Sequence, residues 1–172
     1  MPRRLKRRSR GLVKLVKPIK YSSETFSAAN IFQWQEATKY TSTVITGTEV
    51  LGTRKTKNFS LQIALQPSPN APADQLIPVL FALVFVPEGN DSNRPNTGTT
   101  FNDGKLTALS FYEPNQNVIL QGIVDGKQIY KFKTRLGRNL NSGDTIQLVW
   151  TPFGSFSAPS LFIFTVNYAL AF

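Results

Sequence analysis

The chain contains no cysteine and no histidine among its 172 residues. Without Cys there is no disulfide framework, no thiol nucleophile and no thiolate metal site. Without His, the commonest general base, the commonest zinc ligand and the usual pH switch are gone, so catalysis would have to rest on carboxylates or Lys. No carboxylates stand at a suggestive spacing, no Gly-rich loop is built to cradle a phosphate, and no Ser motif has a base to serve it. Asp103, Asp125 and Asp144 each lie beside a Gly, which is turn chemistry. The expectation is a protein that is not an enzyme and uses no cofactor or metal. Long apolar runs are scarce too. The longest, "LIPVLFALVFVP" at residues 76–87, is far shorter than the roughly 20 residues that a membrane-spanning helix needs. No apolar segment of the secretory type follows the basic start, so neither a signal peptide nor membrane insertion is expected.

One further absence is local. The first twenty residues, MPRRLKRRSRGLVKLVKPIK, hold no acid but nine bases: Arg3, Arg4, Lys6, Arg7, Arg8, Arg10, Lys14, Lys17 and Lys20. The whole chain has 20 Lys and Arg against 10 Asp and Glu, so residues 21–172 carry eleven bases against ten acids, a net of +1. A nearly neutral body thus bears a cationic arm, the pattern of a chain that must touch a polyanion. The arm (residues 1–20) has too little apolar surface to offset the cost of ordering it, and it is expected to be disordered on its own. A mitochondrial presequence is a rival for such an Arg-rich segment, although Gly11 and Pro18 interrupt an amphipathic helix there. The body (residues 21–172) is long enough for one domain with a real core.

What the body does have is period-2 patterning. In "KTKNFSLQIALQ", Phe59, Leu61, Ile63 and Leu65 alternate with Asn58, Ser60, Gln62 and Ala64, which predicts a half-buried strand. "PVLFALVFV" is apolar on both faces, and its flanking Pro78 and Pro87 mark strand ends. A long polar loop, "EGNDSNRPNTGTTFNDGK", separates it from the strand "NVILQGIV". Asp125-Gly126 then predicts a hairpin into "KQIYKFKTR", and "NSGD" a turn before "TIQLVW". The last segment, "LFIFTVNYALAF", puts Phe162, Phe164, Val166, Tyr168, Leu170 and Phe172 on one face. With one or two less regular strands in "IFQWQEATKYTSTVIT", there are seven or eight strands and no clear helix. That is an all-β sandwich or barrel, with immunoglobulin-like, jelly-roll and barrel topologies all open on pattern alone.

Several motifs have both a functional and a plainer reading. "YKFKTRLGR" places Lys131, Lys133 and Arg135 on one side of a strand, against Tyr130 and Phe132 on the other. This is a cationic stripe able to meet phosphates, or ordinary decoration of a wet face. "TRKTK" adds Arg54, Lys55 and Lys57 before a strand, where solubility or edge protection is the simpler account. Glu88, Asn90 and Asp91 are hard oxygen donors for calcium, without the spacing of a helix–loop–helix site. Trp34 and Trp150 could stack on bases, but a buried Trp in a β-core is the commoner case. "PRRLKRRSR" also reads as a nuclear-import signal.

"FVPEGN" (85–90), "YEPNQNVILQGIVDG" (112–126) and "TRLGRNLNSGDTIQL" (134–148), behind an Arg-rich arm, resemble the capsid proteins of circovirus-like viruses. These are small circular single-stranded DNA viruses that encode a replication initiator. The resemblance implies a single jelly roll of two four-stranded antiparallel sheets. It also implies a T=1 icosahedral shell of about sixty copies related by closed symmetry, with the arm turned to the packaged genome. On that reading the twelve cations Arg3, Arg4, Lys6, Arg7, Arg8, Arg10, Lys14, Lys17, Lys20, Lys131, Lys133 and Arg135 contact nucleic acid. Identical subunits, host import machinery and a cell-surface receptor would be the partners, in the virion and, during assembly, the host nucleus. Two other readings of a basic arm on a β-domain stay open: a satellite-type coat around single-stranded RNA, and a cellular single-strand-binding barrel. The latter would expose aromatics beside its bases, whereas here the aromatics fall on core-like faces.

Overall fold

A computed structural model describes residues 19–34, 38–47, 52–67, 78–90, 117–126, 128–152, 154 and 156–171. Among these residues there is no helix. Nine strands follow one another: β1 (Ser22–Trp34), β2 (Tyr40–Thr46), β3 (Arg54–Pro67), β4 (Val79–Val86), β5 (Val118–Val124), β6 (Tyr130–Thr134), β7 (Arg138–Leu140), β8 (Thr145–Pro152) and β9 (Phe156–Ala171). They form two antiparallel sheets with the orders β1-β9-β3-β6 and β2-β8-β4-β5. Strand β7 also pairs with β3, at Arg54–Thr56, while β6 pairs with Phe59–Ile63. The two short strands therefore share one edge, and each sheet has four strand positions.

The chain changes sheets at six of its eight connections, all but β4–β5 and β6–β7, and the late strands β8 and β9 each insert between two early ones. This is jelly-roll connectivity, all-β as expected. One consequence concerns Asp125-Gly126. It does not make a hairpin, because β5 pairs with β4 and β6 pairs with β3. Between Val124 on β5 and Tyr130 on β6 the chain instead passes from one sheet to the other, a gap of about 10 Å that a two-residue turn cannot span. The Tyr130 hydroxyl donates to the Asp125 carboxylate at 2.5 Å and closes this crossing. Gly122 lets the edges meet there. A Cβ at that position would lie 3.0 Å from the rings of Phe81 and Phe132, which pack at 4.7 Å between centroids.

Alternation sends one side chain in two into the space between the sheets. From β9 come Phe162, Phe164 and Val166; from β3, Phe59, Leu61, Ile63 and Leu65; from β4, Phe81 and Leu83; from β8, Ile146, Leu148 and Trp150, all buried. Trp150 is thus a core residue, stacked on Phe162 at 4.7 Å and 4° and on Tyr40 at 5.9 Å. Each fully buried large apolar side chain contributes about 1.5–3 kcal/mol. The side chain of Trp34 and all of Phe172 lie outside what is described.

The "NSGD" turn is also part of the frame. Gly143 has a φ of 79°, which only glycine adopts without strain. The buried Asp144 carboxylate accepts the N–H groups of Asn141 at 2.8 Å and Glu88 at 3.1 Å, and the Gly47 N–H donates to the Asp144 carbonyl. Three connections are held together at one end of the sandwich by that single residue.

Candidate nucleic-acid interface

Eight of the arm cations (Arg3, Arg4, Lys6, Arg7, Arg8, Arg10, Lys14 and Lys17) lie outside the described residues. Lys20 is described and exposed, two residues before β1. Lys131, Lys133 and Arg135 are all exposed, with Tyr130 and Phe132 turned inward as the alternation requires. The stripe therefore sits on the outer face of the β1-β9-β3-β6 sheet, where Lys131 is opposite Gln62 and Lys133 opposite Ser60.

The neighbouring strand adds to it in a way that simple alternation forbids. Counting by twos back from Phe59 would put Lys57 and Lys55 in the core. The pairing of β3 with β9 slips between Lys57 and Ser60, so that one extra residue is accommodated on β3. Asn58 takes up the slip with a φ of 57°, a left-handed conformation that Asn tolerates better than most residues. The phase flips at this bulge. Thr56 is buried and its hydroxyl donates to the Arg138 carbonyl at 3.1 Å, while Lys55 and Lys57 turn to the outer face that carries Lys133. Edge protection does not account for them, because β3 is hydrogen-bonded on both sides. Arg54 has another role: its guanidinium donates to the Thr46 carbonyl at 2.9 Å.

Next to the lysines the face is small and polar, and it turns apolar at its other end, where Ile31, Leu161 and Ile163 share the outward parity and Ile31 is exposed. Ser27 and Thr165 share a hydrogen bond at 3.0 Å, and the Thr25 hydroxyl donates to Asn167 Oδ1 at 2.7 Å. No carboxylate stands on this face among the described strand residues; Glu24 has the inward parity of Phe26 and sits opposite Tyr168. A shallow groove of about 590 Å³ runs along Asn58, Phe59, Ser60, Lys133, Thr134 and Arg135. At the same end the arm joins the fold. The Lys57 ammonium sits 3.7 Å from the centre of the Tyr21 ring, a cation–π contact between the arm's root and the face.

The sequence thus places Lys131, Lys133 and Arg135 on one wet face, as the structure does, but not Lys55, Lys57 and Tyr21 on the same face. A signal existed in the phase conflict between "KTK" and "FSLQI", with Asn at the joint. For the calcium reading, Glu88 and Asn90 are exposed and Asp91 lies outside the described residues, as do the candidate turn at Asp103 and the motif "YEPNQ". No helix among the described residues is long and apolar enough to cross a membrane. Compared with protein-family models and with curated proteins, the chain matches none.

Proposed function

We propose that this chain is a structural capsid protein that assembles into a small icosahedral shell and packages single-stranded nucleic acid through its basic arm, circular DNA being favoured by the resemblance of its motifs to circovirus-like coats. The observation that carries the proposal is the joining of two parts. A jelly roll whose body is nearly neutral is attached to an arm with nine cations and no acid. A near-neutral body suits copies packed edge to edge, where a uniformly cationic one would repel its neighbours. Phosphate contacts do not read bases, which suits a coat that must enclose a whole genome. With about sixty copies, the arms would bring on the order of 500 positive charges to the interior.

Two measurements test this. Purified protein examined by negative-stain imaging should show uniform small shells; a monomer or small oligomer at all concentrations refutes the assembly. Salt titration on a single-stranded oligonucleotide should give a log–log slope approaching about −6, the limit for nine phosphates neutralised at about 0.7 each. Glutamine at Arg3, Arg4, Arg7 and Arg8 should flatten that slope by roughly 3 units. An unchanged slope would assign the arm's charge to nuclear import instead.

A further inference from the structure

We infer that the outer face of the β1-β9-β3-β6 sheet is itself a single-strand track, built by the Asn58 bulge and continuous with the arm, so that the fold and not the arm alone holds the cargo. This rests on the nucleic-acid reading above and locates a second part of the same site.

Three observations carry it. Of the eleven cations in residues 21–172, five converge here, namely Lys55, Lys57, Lys131, Lys133 and Arg135, although the body is nearly neutral. No described carboxylate on the face offsets them. A solubilising surface mixes signs, whereas a one-signed face focuses a field on a polyanion. Secondly, the arrangement costs the fold a regular strand: two lysines reach this face only because Asn58 adopts a positive φ and the ladder slips by a residue. Bulges of this kind re-aim side chains. Thirdly, the arm enters at the Lys57 end of the face, where Tyr21 packs on Lys57.

The dimensions suit a few nucleotides. From Lys55 to the row of Gln62 and Lys131 the face runs about 20 Å, at about 3.4 Å per residue. Lys131 and Lys133 project from alternate residues, about 7 Å apart, close to the step between phosphates in an extended strand. Ser60 and Gln62 between the lysines offer hydrogen bonds to sugar and base edges without demanding a sequence. Exposed aromatics are few on this face, so charge rather than stacking supplies its affinity.

The absence of cysteine makes the test direct, because a single introduced thiol reports its own surroundings. In the full chain, Gln62→Cys marks this face, and Gln121→Cys marks the outer face of the other sheet. Alkylation of each is timed with and without saturating oligothymidylate. Protection of Gln62→Cys by several-fold, with Gln121→Cys unaffected, is the expected result. With the five cations of the face added to the nine of the arm, the limiting slope of the full chain steepens from about −6 to about −10, at about 0.7 per phosphate, and the K55Q/K57Q/K131Q/K133Q chain, its arm intact, should lose roughly 3 of those units while circular dichroism stays unchanged. If wild-type protein binds with a steep slope but Gln62→Cys is unprotected and the lysine variant titrates like wild type, the track is overturned and the arm reading stands. If wild-type protein shows no salt-dependent binding, the nucleic-acid reading itself fails. Phosphatidylserine vesicles form a third arm: protection of Gln62→Cys by vesicles and not by oligothymidylate would assign the face to lipid and overturn the track.

Discussion

The two sheets share a core but differ on their outer faces. Strands β3 and β4 hold comparable interior positions, yet β3 alternates Leu, Ile and Leu with Gln, Ala and Gln, whereas Leu80, Ala82, Val84 and Val86 make the second side of β4 as apolar as its first. All four are at most 5% exposed, as is Val149 beside them on β8. The middle of the outward side of the β2-β8-β4-β5 sheet, on β4 and β8, is already committed to packing, with Gln121 exposed at its edge. The outward side of its partner is polar and cationic from Lys55 to Gln62, with Ile31, Leu161 and Ile163 at its far end. A jelly roll therefore need not have two equivalent surfaces: the residues that do not face the shared core decide how each sheet meets its surroundings.

Breaking the shared core should have the largest effect, and it should not distinguish the sheets. Phe164 is buried from β9 against Phe26, Trp150 and Phe162, with centroids 5.9–6.2 Å away. Phe164→Ala should cost roughly 3–5 kcal/mol in chemical denaturation and prevent assembly by unfolding the subunit. Unchanged melting would mean that the faces of β9 are reversed.

The second test separates the two outer faces. Ala82→Asp puts a carboxylate into the buried side of β4 and should cost about 3 kcal/mol at neutral pH, because a buried charge without a partner is poorly solvated. That penalty should shrink in acid as the group protonates. Gln62→Asp, on the opposite sheet's open face, should stay within about 0.5 kcal/mol. Equal costs for the two substitutions would abolish the distinction between the sheets.

A smaller effect isolates the bulge. Asn58→Val should destabilise by about 1–2 kcal/mol, since a β-branched residue resists the left-handed conformation, and Asn58→Gly should be close to neutral. If Val is tolerated as well as Gly, the phase of β3 is not set at Asn58, and the outward aim of Lys55 and Lys57 loses its cause.

These positions also show what the sequence makes legible. Strand β4 is readable because Pro78 and Pro87 bracket an unbroken apolar run. Strand β9 is readable because its aromatics keep one parity over ten residues, and β6 because Lys alternates with Tyr and Phe. The first half of β1 is not: "SSETFSAAN" has small residues where a strand would advertise itself, and it is held in place by pairing with β9, more than 120 residues away in the chain. The Asp125-Gly126 crossing was misleading because a turn dipeptide fixes local geometry but not which strand will be the neighbour. Lys55 and Lys57 were obscured for a related reason. Period-2 counting assumes an unbroken ladder, and a single residue in the left-handed region reverses every assignment upstream of it.

The smallest effect probes where the shared core ends along β9. Four residues beyond Phe164, Tyr168 keeps the inward parity and stacks on Phe59 at 6.1 Å, but it is only half-buried, near Glu24 and Arg54. Burial raises the pKa of its hydroxyl above the ordinary value of 10.0, the Glu24 charge raises it further, and the Arg54 guanidinium opposes both. The folded chain therefore holds this proton more tightly than the unfolded one. Below pH 10 the hydroxyl is neutral in both states and this contribution to stability is fully present. As pH rises from there through the raised folded value, the unfolded state ionises first and stability is lost. Tyr168→Phe should make the alkaline decline in melting temperature shallower, and Glu24→Gln should shift the onset of Tyr168 ionisation downward. The check is the tyrosinate absorbance titration of wild type minus that of Tyr168→Phe. A midpoint for the missing step at or below 10 would place Tyr168 in water, and the core between the sheets would then close at Val166.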